Sequence, residues 1–253
     1  MNNKKIPNTN KIIKLKNNSK TTQVNTYNLI PGLDLLYNKF NVNEPVEMEY
    51  CKPKNKIIEF NYCHAGRYDC SINENKQVFL GEGEMEVNIA NIKRANQEFP
   101  LGYYEGISVI IDIQKLTENL NNTFFKEISE KILKIYNYLL ENDFAVLIKS
   151  NPKILKIFRE FYEEQNQNNI LYLKLKVLEI ISLLQVIPYN RNKKNNEYFN
   201  SEVINKIKKA HDEVVHNLET KITLNELSEK YKISLTIFKR CFKKVYGSHI
   251  IPI

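Results

Sequence analysis

The chain of 253 residues contains no tryptophan, only seven glycines and only four cysteines. Cys51, Cys63, Cys70 and Cys241 form no Cys-x-x-Cys pair and show no repeated zinc-ligand spacing, which argues against a zinc finger. We interpret them as packed, reduced thiols of a cytoplasmic protein. The most apolar stretch, residues 177–187, is interrupted by polar side chains and is too short to span a bilayer. The sequence therefore predicts neither a disulfide scaffold nor a membrane protein.

Histidine is also scarce, with four in the chain. His64 alone falls in the region of predicted strands, and the absence of a His-x-His pair argues against a metal-dependent oxygenase. No phosphate-binding loop and no pairing of a nucleophile with a base is present. We therefore predict no metal, no cofactor and no catalytic residue. The chain is not expected to be an enzyme.

Basic residues outnumber acidic ones, 37 to 29, and the formal net charge is +8. This balance favours acidic partners such as nucleic acid, although it also occurs in ordinary soluble proteins. The hydrophobic fraction of 42% is large enough for a packed core. Composition alone thus permits a nucleic-acid-binding protein without requiring one.

The hydrophobic pattern changes from strand-like to helix-like along the chain. Residues 1–25 are polar and predict a flexible tail. Between about 45 and 115, short β-branched runs punctuated by Gly and Asn are typical of a small antiparallel barrel or sandwich, with a bend at Gly66 and a solvated acidic loop over 82–86. Beyond about 120 the period becomes helical. The Asn-rich, basic stretch 191–197 predicts a linker.

Two short helices are predicted close to the end of the chain. Thr223 with Glu226 three residues later is a capping box, Ser234 is suited to cap a second helix, and Gly247 is suited to end it. The second helix is expected to turn five apolar residues inward (Ile237, Phe238, Cys241, Phe242 and Val245). Its four cations are expected to face outward (Lys239, Arg240, Lys243 and Lys244). A tight turn between two helices, the second cationic, is the geometry of a DNA recognition helix.

These residues carry a resemblance to a known family. Residues 222–227 (ITLNEL), Ser234 and 238–247 (FKRCFKKVYG) resemble the DNA-binding end of the AraC/XylS transcription regulators, whose pattern here is S-x-x-x-L-x-R-x-F-K-K-x-x-G. Three upstream stretches resemble the sensing domain of a clostridial-type branch of that family: residues 59–70 (EFNYCHAGRYDC), 80–84 (LGEGE) and 99–112 (FPLGYYEGISVIID).

The resemblance implies an α+β fold, with an N-terminal cupin-like antiparallel β-barrel followed by helices and a C-terminal helix–turn–helix. It implies the following boundaries: a sensing domain over 26–120, a helical dimerisation region over 121–190, the linker 191–197, and a DNA-binding domain over 198–253. Members of the family carry a second helix–turn–helix after the position of Gly247. Because the sequence ends at Ile253, we expect the second unit to be missing and the DNA-binding domain to be truncated.

The implied function is that of a sequence-specific DNA-binding transcription regulator. Thr236, Lys239 and Arg240 are the expected contacts to base edges, and Lys243 and Lys244 the expected phosphate contacts. The resemblance also implies a small effector, whose identity no residue predicts. A homodimer is expected through the helix that begins at Leu171 and ends at Ile187. The alternative is a truncated sensor or dimerisation module with little or no specific DNA binding.

Overall fold

The computed structural model describes residues 13–15, 23–41, 48–50, 55–72, 76–90, 94–118, 123–142, 144–149, 151–165, 169–184, 199–217 and 222–248. The strands in this part of the chain are β1 (Ile13–Leu15), β2 (Gln23–Ile30), β3 (Leu33–Asn41), β4 (Met48–Tyr50), β5 (Ile57–Ile72), β6 (Lys76–Gly81), β7 (Met85–Ile89), β8 (Arg94–Glu98), β9 (Tyr103–Asp112) and β10 (Ala145–Ile148). The helices are α1 (Ile113–Glu118), α2 (Thr123–Glu141), α3 (Pro152–Glu164), α4 (Ile170–Leu184), α5 (Ser201–His216), α6 (Leu224–Lys230) and α7 (Leu235–Tyr246). The α+β class predicted from the sequence is confirmed.

Strand β5 organises the main sheet. Its first half lies between β7 and β9, and its second half lies between β6 and β8, all antiparallel. The change of partners follows a register shift between Cys63 and Ala65, next to Gly66, whose φ is 82°. A Cβ at Gly66 would lie 2.3 Å from the carbonyl oxygen of Tyr103, so only glycine fits. The bend predicted at Gly66 is therefore a bulge within one strand rather than a break between two.

The predicted closed barrel is wrong for the described residues. The strand order is β10-β7-β5-β9-β3-β2, with β6 and β8 attached to β5, and the end strands β2 and β10 do not pair with each other. Because β5 runs past its bulge to lie between β6 and β8, these eight strands form a branched sheet instead of one ring, and β1 pairs with β4 in a separate two-stranded sheet. The sheet therefore presents two open faces, each of which must be covered separately.

Helices α1 to α4 cover one of these faces. Ile107, Val109 and Ile111 alternate along β9 and are fully buried in this layer. On α3, the ring of Phe158 stacks on Tyr62 of β5 with centroids 4.1 Å apart. This cluster is the largest apolar core of the described residues, and it fixes the position of α4 on the sheet.

The opposite face of the sheet buries charged and polar side chains. The guanidinium of Arg94 donates hydrogen bonds of 2.9 and 3.1 Å to the two carboxylate oxygens of Glu86. Burial raises the pKa of the neighbouring Glu59, which accepts a hydrogen bond from Asn88. The interpretation of the acidic run 82–86 as solvated is therefore wrong for Glu86, which is fully buried.

The change to a helical pattern beyond about residue 120 agrees with α2 to α7, whereas β3 and most of β2 lie between the predicted tail and the predicted strand region, and the polar β8 and the short α1 have no matching pattern. Strand β1 and the start of β2 fall within the predicted tail 1–25, and the rest of that tail lies outside the described residues. The linker 191–197 and residues 249–253 also lie outside them.

Candidate nucleic-acid interface

Helices α5, α6 and α7 form a separate apolar cluster. Phe238, Cys241 and Val245 of α7 are fully buried, together with Ile207 of α5 and Leu227 of α6. Phe79 of β6 belongs to the same cluster. The helices are therefore packed on one another and on the sheet, which fixes the side that α7 turns to solvent.

The caps of α6 and α7 are those predicted from the sequence. The hydroxyl of Thr223 accepts a hydrogen bond from the amide of Glu226 (3.2 Å), and the Glu226 carboxylate accepts one from the amide of Thr223 (2.7 Å), completing the capping box. Ser234 caps α7 through the amide of Ile237. Gly247 ends α7 in the left-handed conformation, with φ 81°. The four residues 231–234 form the turn between the helices, with Lys232 at φ 52°.

Four of the five predicted contact residues lie together on the exposed side of α7. Thr236, Lys239, Arg240 and Lys243 are all exposed, and their spacing of three and four residues places them on one face. Helix α7 contains no acidic residue, so all the charges on this face are positive. The prediction that Ile237 faces inward is wrong: its side chain is 41% exposed, beside the cations.

Lys244 does not share this environment. Its side chain is half-buried, and its amine lies 5.9 Å from the ring centroid of Phe79. Burial lowers the pKa of the Lys244 amine. Its backbone carbonyl accepts a hydrogen bond of 2.7 Å from the guanidinium of Arg67 on β5. The outward orientation predicted for Lys244 therefore does not hold in this structure, because the sheet covers this side of the helix.

Ion pairs of Lys208 attach helix α5 to the same part of the sheet. The amine of Lys208 lies 2.9 Å from a carboxylate oxygen of Asp69 on β5 and 2.5 Å from one of Glu98 on β8. Asp69 is fully buried, and this burial raises its pKa to about 6 from an ordinary value of 3.8, while Lys208 acts in the opposite direction. No pattern in the sequence predicts this contact, since its partners lie more than 100 positions apart.

The outer side of α4 carries two exposed leucines in its first half, followed by exposed Glu179 and Ser182. Leu173, Val177 and Ile180 face the core, while Leu171 and Leu175 are 67% and 56% exposed. These exposed leucines fall in the helix predicted to dimerise, although residues 185–187 of that prediction lie outside the described residues. An exposed leucine pair on a helix that already buries its other side is a candidate contact for another protein surface.

The described residues hold no group of three or more His, Cys, Asp or Glu side chains arranged for a metal ion. His64 is exposed, and its ring packs 4.1 Å from that of Tyr162. Cys63, Cys70 and Cys241 are buried free thiols. No helix within the described ranges is long and apolar enough to cross a membrane.

No protein-family model matches the chain, and no curated protein sequence matches it. Among solved structures, the AraC-like transcriptional activator CuxR is 12% identical over 88% of this chain and 74% of its own, with a TM-score of 0.32. An apo ToxT variant from Vibrio cholerae strain SCE256 is 10% identical over 85% of this chain and 94% of its own, with a TM-score of 0.40. Wild-type ToxT bound to an unsaturated fatty acid gives 10% identity, 92% and 95% coverage, and a TM-score of 0.33. Superpositions this loose leave the family of this chain open.

Proposed function

We propose that this chain is a DNA-binding transcription regulator of the AraC type, and that α7 is the helix that enters the major groove. The observation that carries the proposal is the exposed face of Thr236, Lys239, Arg240 and Lys243, set opposite a fully buried face of the same helix. A helix that is anchored on one side and cationic on the other meets the two requirements of a recognition helix, a fixed orientation and attraction to phosphate.

The roles of these four residues follow from their order along α7. Because a recognition helix enters the groove by its amino-terminal part, Thr236, Lys239 and Arg240 are the contacts proposed for base edges. Arg240 and Lys239 have the donors to bind guanine O6 and N7. Lys243 lies one turn further on and is the proposed phosphate contact. Lys244 lies against Phe79 and is not among the proposed contacts of this arrangement.

A homodimer formed through α4 belongs to the same proposal. It is supported by Leu171 and Leu175, which a second copy of α4 would cover. A single helix–turn–helix has a small interface with DNA, on the order of 600–1,000 Å². Two copies held together would bind DNA more tightly through effective concentration. A small effector remains part of the proposal, without a chemical class.

The test is DNA binding measured by fluorescence anisotropy between about 50 and about 200 mM salt. The wild type is expected to bind random duplex weakly, with Kd of ~10⁻⁴–10⁻⁶ M near physiological salt, and with a steep salt dependence. The triple variant Lys239→Ala, Arg240→Ala, Lys243→Ala is expected to lose most of this binding. Each phosphate contact removed should flatten the slope of log K against log salt by about 0.9.

A matched control removes the same charge elsewhere. Lys126, Lys134 and Lys153 are exposed on α2 and α3, so their joint replacement by alanine also lowers the net charge by three. This control is expected to change binding little. Equal losses in the two triple variants would show that net charge, rather than the α7 face, attracts DNA. Absence of binding by the wild type would favour the alternative, a sensor or dimerisation module without useful DNA contact.

A further inference from the structure

Lys243 and Lys244 are neighbours in sequence but lie in opposite environments. Lys243 is exposed, whereas the amine of Lys244 lies over the ring of Phe79 at 5.9 Å, within the range of a cation–π contact. On a helix, Lys244 sits about 40° around the axis from Arg240, at the border of the cationic face. A change in how α7 packs on β6 would therefore be enough to return Lys244 to that face.

Arg67 is wedged beneath the last turn of α7. It donates to the Lys244 carbonyl at 2.7 Å. Its guanidinium passes between two glycines: a Cβ at Gly81 would lie 2.5 Å from it and one at Gly247 would lie 2.6 Å from it. A cation at the carbonyl end of a helix also interacts favourably with the helix dipole. Glycine is thus needed at position 247 for two reasons. It adopts the left-handed conformation that ends α7, and its lack of a side chain leaves space for Arg67.

The interface between α7 and the strand residues Arg67 and Phe79 has features of one that can dissociate. The Nε of Arg67 is buried without a hydrogen-bond partner, and burial lowers the pKa of its guanidinium. Docking therefore desolvates two cations, Arg67 and Lys244, with Glu84 as the acid close to both. Such an interface is held less firmly than an apolar core of equal size, because each desolvated charge costs free energy.

We infer that Arg67 and Phe79 form a docking site for the last turn of α7. Docking at this site withdraws Lys244 from the cationic face, so Lys244 becomes a phosphate contact only when the helix leaves the sheet. This inference rests on the proposed function. Arg67 is a positioning residue in it, since it acts on DNA through α7. The state described here binds DNA through three cations of α7, and the undocked state binds through four.

The test compares the wild type with Arg67→Met and Phe79→Leu. Methionine keeps the apolar stem of Arg67 but removes its donors, and leucine keeps Phe79 apolar while removing the aromatic ring. For each, log K for a random duplex is measured against log salt. We expect the slope to steepen by about 0.9 in Arg67→Met, the value for one added phosphate contact. Adding Lys244→Ala to Arg67→Met is expected to restore the wild-type slope.

A second readout needs no DNA. The lysines are labelled with ¹³C-methyl groups, and the amine of Lys244 is titrated by NMR. We expect its titration midpoint to lie below that of an exposed lysine in the wild type and to rise in Phe79→Leu, which keeps the charge of Arg67, a charge that itself lowers the pKa of Lys244. Circular dichroism checks that both variants retain the wild-type helix content.

The possible results distinguish a failure of the proposed function from a failure of this inference alone. Absence of salt-dependent binding by the wild type overturns the proposed function and this inference together. Wild-type binding with an unchanged slope in Arg67→Met overturns the inference alone. A steeper slope that Lys244→Ala does not reverse also overturns it, because the added contact would then come from elsewhere. A Lys244 midpoint that does not move between wild type and Phe79→Leu contradicts the docking.

Discussion

Helices α4 and α7 each bury one side and expose the other, but their exposed sides have opposite chemistry. The exposed side of α4 presents Leu171 and Leu175, whereas that of α7 presents Lys239, Arg240 and Lys243. An apolar side is stabilised by covering it with another apolar surface, and a cationic side by an anionic polymer. Under the proposed function, a second copy of the chain contacts the leucines of α4 and DNA contacts the cations of α7.

The largest expected effect concerns α4. The double variant Leu171→Glu, Leu175→Glu is expected to dissociate a homodimer, raising its Kd by about 10⁴-fold, because two copies of each leucine would each lose ~1.5 kcal/mol of burial. Sedimentation velocity over a range of concentrations measures this directly. Leu140→Glu is the control, since Leu140 is also 46% exposed but lies on α2. A dimer that survives the double variant but not the control would place the contact on α2.

The next largest effect concerns the sheet on which both helices pack. Arg94→Met leaves Glu86 buried without its partner, and we expect the free energy of unfolding to fall by about 3–5 kcal/mol. Lys39→Met is the matched control on the same sheet, because its contact with Glu105 is long (3.7 Å) and largely exposed, and it should cost no more than about 1 kcal/mol. Urea unfolding measures both. Equal losses would mean that the buried pair does not support the sheet.

Asp69 sharpens the comparison, because it pairs with Lys208 of α5, and α5 packs with α7 in one apolar cluster. Its pKa in the folded protein is about 6, above the ordinary 3.8, so the folded state binds this proton more tightly than the unfolded state. The contribution of Asp69 to stability is therefore full below about pH 4 and declines as pH rises through about 6. Relative to Asp69→Asn, the wild type should lose on the order of 3 kcal/mol between about pH 4 and pH 7, at ~1.4 kcal/mol per pKa unit.

This difference is read from urea unfolding at a series of pH values. The charged and titratable groups that face Asp69 are Lys208 on α5, Glu98 on β8, Arg67 on its own strand and Tyr246 on α7. They remain in both proteins, so the subtraction isolates the proton on Asp69. Stability curves that run parallel in wild type and Asp69→Asn would contradict the assignment.

The smallest effect separates roles within α7. Arg240→Ala is expected to cost about 1–3 kcal/mol on a preferred sequence and to relax preference at one base position. Lys243→Ala is expected to weaken all sequences alike and to reduce the salt slope by about 0.9. Binding to a randomised duplex pool, sequenced after selection, measures both. Identical selected sequences and identical slopes for the two variants would remove the division of roles.

The local features of α6 and α7 were predictable because each depends on residues a few positions apart. Thr223 with Glu226, Ser234 and Gly247 specify both helices within one stretch of chain. The position of Lys244 was not predictable, because it depends on Arg67, 177 positions away. A helical pattern alone gives no reason to separate Lys243 from Lys244.

The missed strands have a similar explanation. Six of the nine residues of β3 are buried, four of them in a row, so the strand lacks the alternation that marks a half-exposed strand. Strand β8 has the polar sequence RANQE, and it forms because Arg94 pairs with Glu86 while its backbone pairs with β5. Both strands depend on neighbours that are distant in sequence, so the hydrophobic periodicity of the sequence does not predict either strand.

The most direct test of the central claim is photo-cross-linking from the two exposed helix sides. The photoreactive residue p-benzoylphenylalanine is placed either at the position of Thr236 on α7 or at that of Leu171 on α4, and the full chain is irradiated with labelled duplex DNA. We expect the first protein to cross-link to DNA and the second to cross-link to another copy of the chain. DNA cross-links from the α4 position with none from the α7 position would contradict the assignment of α7 as the helix that contacts DNA.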